Sequence, residues 1–214
     1  MNSAIRRYHL FGAVLLFVLL PVTLLALTEY PRRTLLKEAI SLLTVLAFAA
    51  TLGQLFLAKS NRYFVSVFRF SRVLAVHKFI GYAAAGLFLV HPFLLVLPRF
   101  YESGVAPFDA LITILTTVDS PGVVLGLIAW SLMLLIGVTS LFRERMNMSY
   151  RRWRWYHGIL SILFIVIASW HAIELGRHTG GSMSVFITLL ALTGSLLLVR
   201  QYADQINAAV GAKQ

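Results

Sequence analysis

A chain of 214 residues that is 59% hydrophobic and only 13% charged, with a mean hydropathy of +0.81, leaves little material for anything outside a lipid bilayer. The absence of cysteine excludes disulfides, iron–sulfur clusters, thiolate ligation, covalent thioether attachment of a prosthetic group and thiol catalysis. A net charge of +11 would point to nucleic acid in a soluble protein, but here the cations flank apolar runs, where they set topology and touch lipid headgroups. Membrane lipid is therefore an expected partner and nucleic acid is not.

The expected fold is an all-α integral membrane bundle of six transmembrane helices forming one domain over 1–214. The first span, 8–28, follows Arg6 and Arg7 and is too long for a signal-peptide core, with no small-residue cleavage pattern after it. Pro21 inside it predicts a kink, and His9 at its entrance reads as an interfacial residue without a partner at repeat spacing. The second span, 37–58, carries Ser41, Thr44, Thr51 and Gln54 for helix–helix contacts. The basic, aromatic connector 59–72 predicts a short amphipathic interfacial helix. After the third span, 75–98, the segment 99–120 is apolar over too few residues to cross and predicts an interfacial lid helix. Glu102, Asp109 and Asp119 in it offer an alternative role in docking a cationic substrate such as ferric iron. Pro121 opens the fourth span, 121–142, where a missing N–H costs little. A second basic connector, 143–154, leads into the fifth span, 155–176, and 182–202 makes the sixth.

Spans three and five share a device. His77 and His91 lie fourteen residues apart, as do His157 and His171. Fourteen residues of α-helix advance about 1400°, within roughly 40° of whole turns, and rise about 21 Å, so each helix carries two imidazoles on one face at two depths. A lone intramembrane histidine reads equally as an interhelical hydrogen-bonding residue or a proton relay, but two pairs of equal spacing favour a site, because ionisable groups are costly in hydrocarbon. Two helices offering imidazoles at matching depth can clamp a haem from both sides, and two levels make two stacked, non-covalent b haems.

Counting Lys and Arg gives fourteen on the side of the termini and the two basic connectors, against five on the other. The positive-inside rule then places both termini in the cytoplasm and runs spans three and five in the same direction. His77 therefore faces His157 at the inner level, and His91 faces His171 at the outer. Iron with two histidine ligands has no open position, so the expected chemistry is electron transfer, and no catalytic residue is expected. Gly81, Ala84, Ser161 and Ala168 leave room beside the ligands or serve plain packing; Phe164, seven residues from both histidines of its helix, is a core aromatic or a bridge between levels. Arg72, Lys78 and Arg154 are candidate partners for inner propionates, with Arg99, Arg177 or His178 for the outer ones, unless these only reach headgroups.

Arg72-x4-His77-Lys78-Phe79, the step to His91, and the WRWYH run ending at His157 with His171 beyond resemble the ferric reductase and NADPH oxidase transmembrane domain over nearly the whole chain. The resemblance implies two b haems between helices three and five, ligated by His77, His91, His157 and His171, and electron flow from a cytoplasmic donor outward to ferric iron, oxygen or a periplasmic reductase. Two features depart from it. Pro92 follows the outer ligand His91 and removes a hydrogen bond to the Phe88 carbonyl. Nothing in these residues forms the usual flavin and NAD(P)H domain, so FAD or FMN is expected only through a separate flavoprotein, with quinol as the other candidate donor. The alternatives are a quinol-linked haem subunit of a periplasmic methionine sulfoxide reductase system, or a non-redox membrane transporter or scaffold. A multi-pass protein of the bacterial inner membrane is the expected setting.

Overall fold

The computed structural model describes residues 3–31, 33–58 and 61–211, and all regular structure among them is helical. Arg32, Lys59 and Lys213, which enter the charge count, lie outside the described residues. Six helices are long and apolar enough to cross a membrane: Ala4–Ala26, Leu35–Gly53, Phe70–Phe100, Pro121–Leu141, Tyr150–Leu175 and Ser182–Asn207.

The first span is built from α1 (Ser3–Val14), a wide π-helical turn over Leu15–Leu19, and α2 (Leu20–Ala26). Pro21 has no N–H for the preceding turn and its ring crowds the carbonyl four residues back, so the irregularity falls just before it. Next comes α3 (Leu35–Gly53), which stops short of the expected end at 58 because the chain turns over 54–57. The expected interfacial helix is α4 (Arg62–Val67), capped by Asn61, whose Oδ1 accepts from the Phe64 amide at 3.2 Å. The start of α1 binds it. Arg6 Nε donates to the Val67 carbonyl at 3.1 Å, and His9 lies 3.0 Å from the Tyr63 hydroxyl with its ring against Phe64 and Phe68. His9 thus serves packing at the face that bears the N-terminus.

The two histidine helices are α5 (Phe70–Val96) and α8 (Tyr150–Leu175). Pro92 leaves α5 helical to its end. Between them come α6 (Pro107–Thr116), too short to cross, and α7 (Pro121–Leu141), while α9 (Ser182–Gly211) closes the bundle. Gly181, at φ +52°, supplies the left-handed residue by which the chain reverses from α8 into α9.

Leu52, Ala49, Ile165, Met183 and Ile187 form the buried centre, where α3, α8 and α9 meet. Outward-facing positions such as Phe11, Val138, Leu189 and Leu196 are exposed and apolar, as lipid contact requires. The packing is uneven around the ring. α8 lies closest to α7, and α5 lies against α3 and α7, but α5 and α8 make little direct backbone approach. The gap thus left between the backbones of the two histidine helices, here called the slot, has α7 packed against both of them.

Candidate functional site

The slot is lined by the four histidines, all half-buried. At the level nearer the N-terminal face, the His77 and His157 ring centres are 6.3 Å apart with their planes at 68°. A metal–imidazole bond is roughly 2.0–2.1 Å, as for zinc. The ring nitrogen lies about 1.1 Å from the ring centre, from bonds near 1.33 Å. Two imidazoles on opposite sides of one ion therefore stand about 6.3 Å apart. The far level is made by His91 of α5 and His171 of α8, fourteen residues further along each helix.

Helix α7 supports the two imidazoles of α8. The His171 Nδ1–H donates to the Gly122 carbonyl at 2.8 Å, which leaves the lone pair on Nε2. Gly126 makes this approach possible: a Cβ there would sit 2.6 Å from His171 Cε1 and 2.8 Å from Nδ1. His157 Nδ1 lies 3.3 Å from the Ser140 hydroxyl, and its ring stacks on Trp153 at 5.0 Å and 26°. Trp153 is itself held by donating its indole N–H to the Thr139 carbonyl at 3.1 Å. By contrast, Nδ1 of both His77 and His91 is buried without a hydrogen-bond partner. The support on α5 acts on its backbone, where Gln54 donates to the His77 carbonyl at 3.1 Å.

The small residues divide. Gly81 faces Gln54, whose Nε2 would lie 3.8 Å from an added Cβ, and Ser161 donates to the His157 carbonyl at 2.7 Å. Ala84 and Ala168 are buried, and Phe164 belongs to the central core. Of the candidate propionate partners, Arg72, Lys78 and Arg99 are exposed. Arg154 instead bonds Gln205 of α9, and its carbonyl accepts from the Tyr202 hydroxyl at 2.9 Å. Arg177 donates to the Pro31 carbonyl at 2.9 Å and lies over the Tyr30 ring.

His178 is buried in a polar clasp that joins the turn after α8 to the start of α3. Its Nδ1 is 2.9 Å from the Thr28 hydroxyl and its Nε2 is 3.2 Å from Glu38, which also binds Arg33 at 3.1 Å. Burial holds the His178 imidazole below its ordinary value, with Glu38 opposing and Arg33 and Arg177 reinforcing the shift. On the same side Glu102 is bound by Lys37 at 2.6 Å, so of the three acidic lid residues only Asp109 and Asp119 are exposed.

The contributions of α7, Gln54 and Glu38 do not follow from histidine spacing. The four-residue step from Gly122 to Gly126 marks a close-approach face, a signal also read as ordinary helix packing. Among the described residues no group of three or more His, Asp or Glu converges as a bare metal site would require. Two imidazoles on α5 with buried unpartnered Nδ1 atoms and two on α8 with Nδ1 engaged by α7 would instead suit a group that takes nitrogen donors from both helices and no carboxylate. The residues fit haem.

The family model described as ferric reductase like transmembrane component matches residues 43–168, a stretch that contains three of the four histidines and the whole slot wall of α7. The chain is also 37% identical over 165 residues to an uncharacterized protein of Archaeoglobus fulgidus, covering 77% of this chain and 90% of the relative. No solved structure matches it. The chain belongs to the ferric reductase-like transmembrane family. That membership suggests transmembrane electron transfer by an oxidoreductase-type membrane component.

Proposed function

We propose that the protein conducts electrons across the membrane between two b haems, one held by His77 and His157 and the other by His91 and His171. The observation that carries this reading is the 6.3 Å opposition of His77 and His157 across a slot that the backbones of α5 and α8 leave open. A haem held there would supply one-electron exchange. The chain's own residues bind and orient: α7 fixes His171 in the tautomer that presents Nε2 and sets a hydroxyl beside His157, and Arg72 and Lys78 offer cations to propionates at the near level. With the termini cytoplasmic, the near level receives electrons from a flavoprotein carrying FAD or FMN, or from quinol, and the far level delivers them to an outer acceptor. The basic connectors 59–78 and 143–154 form the docking surface for an acidic donor.

Pyridine haemochrome against protein mass tests the reading. A haem-loaded preparation carries two b haems per chain, and reduction by NADPH is slow until a flavoprotein is added. A preparation expressed under haem-replete conditions with a ratio near zero sinks it.

A further inference from the structure

The two levels differ in one respect that bears on their chemistry. Both α5 ligands have a bare Nδ1, so at each level the hydrogen bonding that distinguishes the site comes from α8's partner on α7. At the far level that partner is a backbone carbonyl at 2.8 Å, and at the near level it is a hydroxyl at 3.3 Å. A carbonyl accepting a short N–H bond pushes electron density into the imidazole and raises its basicity as a ligand. A longer contact to a hydroxyl does so less. A more basic axial ligand favours ferric over ferrous iron.

We propose that Gly122 and Gly126 are positioning residues for His171, and that through them α7 makes the far-level haem the lower-potential member of the pair. Gly122 provides the acceptor. Gly126, by having no side chain, lets the ring reach it, since any Cβ would displace the imidazole from the line of that bond. Nothing equivalent crowds His157, whose ring is set by the Trp153 stack. Electrons leaving the far level then leave from the more reducing centre, which suits a poorly oxidising acceptor. This inference rests on the two-haem reading and refines it.

Potentiometric titration of the haem-loaded protein, followed by its visible spectrum, is the test. In the wild type the component removed by His91→Ala is expected to be the lower of two midpoints. Gly126→Ala should raise that midpoint, changing the ferrous-to-ferric ratio at fixed potential about tenfold, or roughly 59 mV for one electron, while leaving the other component in place. Selective loss of the far component in Gly126→Ala has the same meaning, because it shows that the ring position depends on the missing side chain. Ser140→Ala should shift the near component by less. The inference is overturned if His91→Ala removes the higher midpoint, or if Gly126→Ala moves both components equally or neither. The wild-type assignment decides the matter even where Gly126→Ala does not accumulate in the membrane. A wild type without haem would count against the two-haem reading itself, whereas two haems in the reverse order count only against the role of α7.

Discussion

The two walls of the slot are built differently. On α8 each imidazole is braced by α7, His171 by the Gly122 carbonyl and His157 by Ser140, and the His157 ring is also stacked on Trp153 of its own helix. On α5 the backbone is held, through Gln54 to the His77 carbonyl, but the rings of His77 and His91 have no partner at Nδ1. A braced ring is preorganised, losing little freedom when it takes a ligand, while an unbraced ring gains its orientation from the ligand. If the proposed haems bind there, the α8 wall is expected to act as a fixed jaw and the rings of α5 to take their orientation from the bound group.

The sharpest way to break that contrast is to remove one imidazole at a time and offer a replacement in solution. Each His→Ala change should abolish one low-spin component, His77 and His157 the same one, His91 and His171 the other. Added imidazole should then restore His171→Ala and His157→Ala better than His91→Ala and His77→Ala, because α7 retains the groups that orient the guest only on the α8 side. Equal rescue on both walls, measured by recovery of the low-spin spectrum, would remove the fixed-jaw distinction.

Much of this arrangement is legible in the sequence, and the reason is depth. Six apolar runs and two fourteen-residue histidine steps depend only on bilayer thickness and helical rise, which composition and spacing encode directly. The end of α3 at Gly53 and the clasp around His178 are not legible in that way, because they depend on which loops meet. Arg154 illustrates the limit: its place in the WRWYH run puts it beside the near level, but its guanidinium is drawn to Gln205, a residue fifty-one positions away whose approach no local pattern encodes. Glu102 likewise reads as an acidic lid residue until Lys37 is found against it.

A smaller effect sharpens the comparison at the near level. Trp153→Leu removes the indole bond to the Thr139 carbonyl and the stack on His157 but leaves α8 a good helix former at that position. The lost interhelical hydrogen bond is worth about 0.6 kcal/mol in a membrane, so the fold should survive. The near component should broaden or shift in its ferric spectrum while the far component stays unchanged. A variant in which both components move together would mean that Trp153 stabilises the bundle generally and does not brace His157 in particular.

The smallest effect expected is at the far end of the braced wall, where His178 clasps the turn after α8 to Thr28, Tyr30 and Glu38, with Arg33 and Arg177 nearby. Burial, the largest cause, and the two arginines hold this imidazole below its ordinary value, against the pull of Glu38. In the unfolded chain it takes a proton as pH falls through roughly 6.5, whereas in the folded protein it resists until lower pH. The unfolded state therefore binds more protons in that window, and stability rises with pH across it. The contribution of neutral His178 is fully present above about pH 6.5 and declines as pH falls from there through the folded value. Thermal unfolding of the detergent-solubilised protein should accordingly show a midpoint that drops on the acid side of this range. His178→Gln, which can still donate to Thr28 but cannot titrate, should flatten that drop while lowering the midpoint slightly at neutral pH. If the wild type and His178→Gln gave parallel profiles, the clasp would not be the acid-sensitive end of the α8 wall.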